Sequence, residues 1–97
     1  MERQEYFVSI SINIPNDLLD LESKRLVEAE RIRGKELQNQ GSIRRIWRIP
    51  GTKNNIGIWA AEDATALHAM IESLPLFKFM TVKVTPLATH PLESGQQ

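Results

Sequence analysis

A period-two pattern near the start of the chain requires it to build a β-sheet. Apolar side chains stand at every second position until Pro15 ends the run, and they are Tyr6, Val8, Ile10, Ile12 and Ile14. Successive side chains of a strand point to opposite faces, so this spacing is typical of a strand with one buried face. The rest of the chain must therefore supply a layer that covers that face.

A long helix is predicted next. Asn16 and Asp17 offer N-capping oxygens, the residues from there to Asn39 favour a helix, and Gly41 supplies the left-handed residue that commonly ends one. Within this helix Gly34 costs about 1 kcal/mol relative to alanine, which suggests close packing or room for a ligand at that point.

Two strands, a helix and a last strand follow. Residues 43–49 and 56–60 flank a loop of turn-forming residues and predict a β-hairpin. Glu62 and Asp63 then precede four apolar residues at helical spacing before Pro75, namely Leu67, Met70, Ile71 and Leu74. The segment from Lys78 to Pro86 alternates again and predicts the fourth strand.

This order, β-α-β-β-α-β, predicts an α+β fold of the ferredoxin-like type, in which a four-stranded antiparallel sheet carries both helices on one face. We expect a single domain over residues 1–97, with a core at about 5–87 and a C-terminal tail at 88–97. The helix-free face of the sheet needs cover. In a chain this short, the economical solution is a dimer that packs sheet against sheet.

The composition excludes several classes of function. Twelve basic residues balance twelve acidic ones, so neither nucleic acid nor an anionic membrane is an expected partner. The chain has no cysteine and no signal-peptide pattern, which favours a cytoplasmic protein. His68 and His90 are far apart, and no metal-binding or phosphate-binding motif is present. We therefore expect an activity that uses no metal and no cofactor.

One carboxylate falls on the apolar side of the first predicted helix. With Leu26 set at zero, Leu37 lies at about +20° and Glu30 at about +40° around the helix axis. An inward carboxylate must be hydrogen-bonded or paired, and burial raises its pKa, which makes Glu30 a candidate base or acid. Alternatively, Glu30 pairs with Arg33 or with an arginine of the next strand and only joins helix to sheet.

The predicted strand at residues 43–49 carries three arginines and a tryptophan. Strict alternation would place one set of side chains on one face, Ile43, Arg45, Trp47 and Ile49, and a second set on the other, Arg44, Ile46 and Arg48. Neither face is purely apolar or purely polar. This mixture indicates a polar pocket, a charged contact between subunits, or both.

These residues resemble the muconolactone delta-isomerase family, which includes the chloromuconolactone dehalogenases. The resemblance covers nearly the whole chain and rests on the spacing of Pro15, Ala29-Glu30, Gly41, Arg44, Trp47-Arg48-Ile49, Gly51, Asn55, Ala66-Leu67-His68, Leu74 to Phe77 and His90-Pro91. It implies a ferredoxin-like fold, dimers that assemble into a decamer, and catalysis without a cofactor. The reaction it implies moves the ring double bond of muconolactone to give the enol-lactone of 3-oxoadipate.

The resemblance also implies roles for five residues. Glu30 would act first as general base and then as general acid. Arg44 and Arg48 would hold the carboxylate of the substrate, since a guanidinium can donate two charge-assisted hydrogen bonds to it. Asn55 or His68 would donate a hydrogen bond to the lactone oxygen as negative charge develops there.

The chain departs from the family pattern in places. Ser9 stands where the family usually has a basic residue in the first strand, and either Arg45, Lys53 or Lys78 could supply that charge instead or the pocket could take a different small acid. Two other functions are compatible with the sequence. One is lactone dehalogenation, and the other is a non-catalytic or ligand-binding oligomeric protein on the same fold.

Overall fold

The computed structural model describes residues 3–93. Its elements in chain order are β1 (Gln4–Ile12), α1 (Asp20–Asn39), β2 (Ile43–Arg48), β3 (Asn55–Ala61), α2 (Ala64–Glu72), a 3-10 turn (Phe77–Phe79) and β4 (Met80–Leu87). The strands form one sheet in the order β2-β3-β1-β4, and every neighbouring pair is antiparallel. The predicted ferredoxin-like order β-α-β-β-α-β is confirmed.

The core lies between the inner face of the sheet and the two helices. The alternation in β1 buries Tyr6, Val8 and Ile10, and the helical spacing in α2 buries Leu67 and Ile71. Leu37 from α1 and Trp59 from β3 complete the cluster. Both sequence patterns thus predicted the buried faces correctly, because each element buries the side that carries its apolar side chains.

For α1, the predicted N-terminal cap is wrong and the predicted C-terminal end is confirmed. The helix begins at Asp20 with Leu19 in the capping position and no side-chain cap, so the prediction that Asn16 and Asp17 cap it is wrong. These two residues belong to a turn in which Leu18 N–H donates to Pro15 O, and the chain becomes helical only after it. The predicted stop at Gly41 is confirmed by its positive φ of 77°.

The C-terminus of α1 is closed by two backbone hydrogen bonds. Ser42 N–H donates to Leu37 O at 2.8 Å and Gly41 N–H donates to Gln38 O at 3.0 Å. This pair of bonds defines a Schellman motif, which satisfies carbonyls that would otherwise lack a partner. The motif sends the chain directly into β2, whose first residue, Ile43, is buried.

An extra residue in β2 changes which side chains face the helices. Ile43 lies opposite Trp59, but Arg45 lies opposite Ile58, so Arg44 has no partner of its own and forms a β-bulge. Beyond the bulge, Ile46 and Arg48 share the inner face of the sheet.

Two predicted groupings in this strand are therefore wrong. Arg44 does not share a face with Arg48, and Ile43 does not share one with Arg45 and Trp47. The physical reason is that a shift of one residue moves all later side chains of a strand to the other face. Arg45 and Trp47 lie on the outer, helix-free face, where the Arg45 guanidinium stacks over the Trp47 ring at 4.8 Å.

The end of the chain agrees with the sequence in outline. Asp63 caps α2 by accepting a hydrogen bond from Ala66 N–H at 2.8 Å. The fourth strand starts at Met80 and not at Lys78, because residues 77–79 form a 3-10 turn closed by Phe79 N–H to Leu76 O. Residues 1–2 and 94–97, including the end of the predicted tail, lie outside the described residues, and the single domain over the whole chain stays a prediction. Within residues 3–93, no helix is long and apolar enough to cross a membrane.

Candidate active site

A cavity of about 540 Å³ opens between α1 and the inner face of the sheet. Its walls are mainly aliphatic and come from β1, α1, β2 and the segment after α2, with Ile10, Ile12, Ile14, Val27, Ile43, Ile46, Leu74 and Leu76 as the apolar lining. Its polar lining consists of Glu30, Arg31, Arg48, Thr52, Lys53, Asn55 and Trp59. A mostly apolar cleft with a few convergent polar groups is the usual form of a small-molecule site.

Glu30 is the only carboxylate among the residues that line this cavity. It is half-buried, and its Oε1 accepts a hydrogen bond from Leu76 N–H at 3.0 Å. The amide of Leu76 is available because it lies in the turn that follows α2. The inward orientation predicted from helical spacing is thus confirmed.

The alternative role of Glu30 as a structural ion pair is not supported. Arg33 donates instead to Ser73 Oγ at 3.0 Å and to Glu36 Oε1 at 3.0 Å. No arginine or lysine within residues 3–93 lies within salt-bridge distance of Glu30. Burial therefore dominates and raises the pKa of Glu30, while the hydrogen bond from Leu76 opposes the shift without cancelling it.

The β2–β3 hairpin brings two cations to the same cavity. Arg48 lies on the inner face of β2 and therefore faces the cavity, and its Nη1 donates a hydrogen bond to Lys53 O at 2.6 Å. Lys53 itself lines the cavity from the hairpin loop. Neither side chain has an acidic partner within the described residues, so both charges are available to an anion.

Several hydrogen bonds fix this loop. Thr52 Oγ1 donates to Ile49 O at 2.8 Å and accepts from Asn54 N–H at 3.0 Å. Asn54 Oδ1 in turn accepts from Ile12 N–H, the last residue of β1, at 3.0 Å. The loop that carries Lys53 is consequently held against the sheet, which fixes the backbone position from which the Lys53 side chain reaches the cavity.

Asn55 also lies where the sequence predicted a polar contact. It stands opposite Arg48 on the inner face and lines the cavity. Its side-chain Oδ1 is buried and has no hydrogen-bond partner in the described part of the chain. A buried polar atom without a partner costs about 1–3 kcal/mol, so this amide is suited to contact a ligand.

Two of the predicted site residues lie elsewhere. Arg44 projects from the bulge to the outer face, where Nη1 binds Glu5 Oε2 at 2.7 Å. His68 is exposed on α2, with Nε2 3.8 Å from Glu72 Oε1, and does not line the cavity. The predicted placement of both residues beside Glu30 is wrong.

Of the three cations that could replace the missing charge at Ser9, only Lys53 lines the cavity. Arg45 stacks on Trp47, and Lys78 lies over the ring of Phe79 at 5.3 Å. Ser9 itself pairs with Lys83 and Ile56 and faces outward with them. Arg31 also lines the cavity but is paired with Glu28, so the hairpin loop carries the second cavity cation that has no acidic partner among residues 3–93.

Sequence reasoning missed Trp59 as a site residue. Trp59 is 1% exposed, lines the cavity and has a buried Nε1 without a hydrogen-bond partner among residues 3–93. One signal was present, because Asn55, Gly57 and Trp59 share a face by strand alternation. Applying that rule to β3 would have placed Trp59 on the same face as Asn55, toward the cavity.

The titratable side chains give no separate metal site. Within residues 3–93, no three His, Asp or Glu side chains come close enough together to hold a metal ion. What the arrangement offers chemically is a half-buried carboxylate for proton transfer and two cations for an anionic ligand.

Comparison with known proteins identifies the family of this chain. A family model described as muconolactone delta-isomerase matches residues 4–93. The chain belongs to the muconolactone delta-isomerase family. It is an isomerase of that family, as the resemblance implied.

Individual members are similar along most of their length. Muconolactone Delta-isomerase of Rhodococcus opacus is 35% identical over 85 residues, which cover 88% of this chain and 91% of that protein. Muconolactone Delta-isomerase of Acinetobacter baylyi is 33% identical over 84 residues, covering 87% and 88%. A crystal structure of muconolactone isomerase matches with a TM-score of 0.84 at 30% identity and covers 90% of this chain and 91% of its own. The family fold is therefore present here over nearly the whole chain.

The raised pKa of Glu30 predicts how the variant Glu30→Gln changes stability with pH. A carboxyl whose pKa is higher in the folded than in the unfolded state costs stability once it ionises, so the cost grows as pH rises through the folded pKa. We expect Glu30→Gln to unfold at a higher temperature than the wild type near neutral pH. The difference should shrink as pH falls toward the range in which Glu30 is protonated.

Thermal unfolding of both proteins at a series of pH values measures this. Gln retains an oxygen that can accept the Leu76 N–H, so the comparison isolates the buried charge. A difference in unfolding temperature that stays constant between acidic and neutral pH would contradict the assignment.

Proposed function

We propose that the protein isomerises muconolactone, or a closely similar small lactone acid, by proton transfer through Glu30. The observation that carries this proposal is a half-buried carboxylate in the same cavity as the cations Arg48 and Lys53, none of which has an ion-pair partner among residues 3–93. The related proteins are named for muconolactone, and this cavity has the charge and polarity that such a ligand requires.

The chemistry needs one group that takes and returns a proton. Muconolactone has an acidic C–H on the ring carbon that bears its carboxymethyl arm. Glu30 would accept this proton, the double bond would shift, and the same carboxyl would give the proton to the carbon next to the lactone carbonyl. One C–H bond breaks and another forms, with no net change in electrons. A carboxyl with a raised pKa suits both halves of the reaction.

Arg48 and Lys53 would hold the carboxylate arm of the substrate at the cavity rim. The aliphatic walls would enclose the lactone ring and exclude water, which strengthens the electrostatic interactions inside. Asn55 would donate to the ligand through its side-chain NH₂ group, because an anionic lactone offers oxygens and no hydrogen-bond donor. Arg44 and His68 have no part in this proposal.

The first test removes the proposed base. Glu30→Gln should lower kcat for muconolactone by about 10²- to 10⁴-fold, because general acid–base groups contribute on that order. Formation of the enol-lactone can be followed spectroscopically. Glu36→Gln is the matched control, since Glu36 lies on the same helix, is exposed and does not line the cavity. Equal loss in both variants, or no loss in Glu30→Gln, would remove Glu30 from the mechanism.

The second test compares two arginines of the same strand. Arg48→Met should lower kcat/KM by about 10- to 100-fold, chiefly through a higher KM, because a charge-assisted hydrogen bond contributes about 1.5–3 kcal/mol. Arg44→Met should leave kcat/KM within about threefold of the wild type, since Arg44 lies on the outer face. If Arg44→Met reduced substrate affinity as strongly as Arg48→Met, the assignment of the two faces to different roles would be refuted.

We also propose that the protein self-associates through the outer face of the sheet. Trp47 is 43% exposed there, and the half-buried Phe7, Ile56 and Ile58 face the same way. An apolar sheet face of this kind is commonly covered by a second copy of the chain. The dimer and the decamer implied by the family resemblance are two possible assemblies.

Sedimentation equilibrium measures the assembly directly. The wild type should sediment as an oligomer, and Trp47→Asp should shift the distribution toward smaller species, because a charge would replace an apolar contact. A wild type that sediments as a monomer at micromolar concentration would refute the proposal.

A further inference from the structure

Trp59 lines the cavity, and its indole Nε1 is a buried polar atom that the proposed reaction does not use. The side chain is 1% exposed, yet its Nε1 has no hydrogen-bond partner within residues 3–93. A buried indole N–H usually finds a partner, and leaving a buried donor unpaired costs about 1–3 kcal/mol. Packing of the core therefore does not explain why residue 59 carries a polar N–H group.

The position of Trp59 relates it to the rest of the site. It faces inward opposite Tyr6 on one side and Ile43 on the other, four residues along β3 from Asn55. Four residues of strand span about 13 Å. Gly57 lies between the two and contributes no side chain, so Asn55 and Trp59 line opposite ends of the same floor.

The two ends of this floor differ in charge. At the Asn55 end stand Arg48 and Lys53, whereas Trp59 lies between Ile43 and Tyr6 in the buried core cluster and has no charged residue opposite it. A ligand with a carboxylate at one end and a neutral oxygen at the other fits this division. A neutral N–H in an apolar environment is the partner that a carbonyl oxygen requires.

We infer that Trp59 Nε1–H is a substrate-binding donor that contacts the lactone carbonyl oxygen. The inference rests on the proposed function. When the ring carbon loses its proton, the negative charge moves to that carbonyl oxygen, so a donor placed there stabilises the transition state more than the ground state. Because Nε1 is buried, the contact requires apolar side chains beside it to shift when the ligand enters.

Nuclear magnetic resonance of the wild-type protein tests the contact without relying on turnover. The chain has two tryptophans, Trp47 on the outer face and Trp59 in the cavity, so a ¹⁵N-labelled sample gives two indole N–H signals. The probe is the saturated lactone acid with the same carboxymethyl arm, which cannot isomerise. The Trp59 signal should move downfield on titration, as expected for a new hydrogen bond, and the Trp47 signal should stay.

Kinetics of Trp59→Phe supply the second measurement. Phe keeps the aromatic ring and removes the N–H, so kcat should fall by about 10- to 100-fold with a smaller change in KM. Trp47→Phe is the matched control and should stay within about twofold of the wild type. The Trp59→Phe protein also identifies which of the two indole signals belongs to Trp59.

The outcomes separate this inference from the proposed function. If Trp59 stays unshifted while signals from Leu76 or Arg48 respond to the probe, the inference is overturned and the isomerase proposal stands. If the wild type does not convert muconolactone but the Trp59 indole signal still moves on titration with the saturated acid, the inference about Trp59 holds and the proposed reaction is refuted. If no cavity signal responds and muconolactone is not converted, both fall. Turnover by Trp59→Phe at the wild-type rate would also overturn the inference.

Discussion

The extra residue at Arg44 decides which side chains reach the cavity. A Cβ built on Gly57 would lie 2.6 Å from Arg45 O, so the bulged strand can approach β3 this closely only where residue 57 has no side chain. The bulge turns Arg48 inward and Trp47 outward. In an unbroken strand starting from the same Ile43, Arg48 would face outward, and the cavity would lose its guanidinium.

The environment of Glu30 balances two opposing effects. Removal from water raises the pKa of this carboxyl, and the hydrogen bond from Leu76 N–H lowers it by a smaller amount. The nearby arginines that would hold it ionised are occupied elsewhere, Arg33 by Glu36 and Arg31 by Glu28. A proton can consequently be gained or lost at modest cost, whereas a salt bridge would keep the carboxylate charged.

The loop between β2 and β3 is fixed by hydrogen bonds and lies next to the cations of the cavity. Thr52 and Asn54 close the loop on itself and on β1, while the backbone of Lys53 accepts from Arg48. The Arg48 guanidinium is thereby positioned by a backbone contact without an acidic partner among residues 3–93. An anion entering the cavity meets this guanidinium already in place, so little cost is added for ordering it on binding.

Sequence by itself determined the framework of this protein. Period-two and period-3.6 patterns predicted four strands, two helices and the buried faces of β1 and α2, and helical spacing alone predicted that Glu30 faces the core. These predictions succeed because they depend on local geometry. Family resemblance added the reaction class and four further candidate residues, of which Arg48 and Asn55 lie in the cavity.

Only the tertiary structure decided the membership of the site. The bulge that separates Arg44 from Arg48 lies where β2 closely approaches β3 at Gly57, and no pattern within β2 encodes this contact between strands. The unpaired state of Trp59 Nε1 depends on every neighbour that packs around it. Helix spacing places a side chain on a face, but hydrogen-bond partners come from distant segments, and those meet only when the chain has folded.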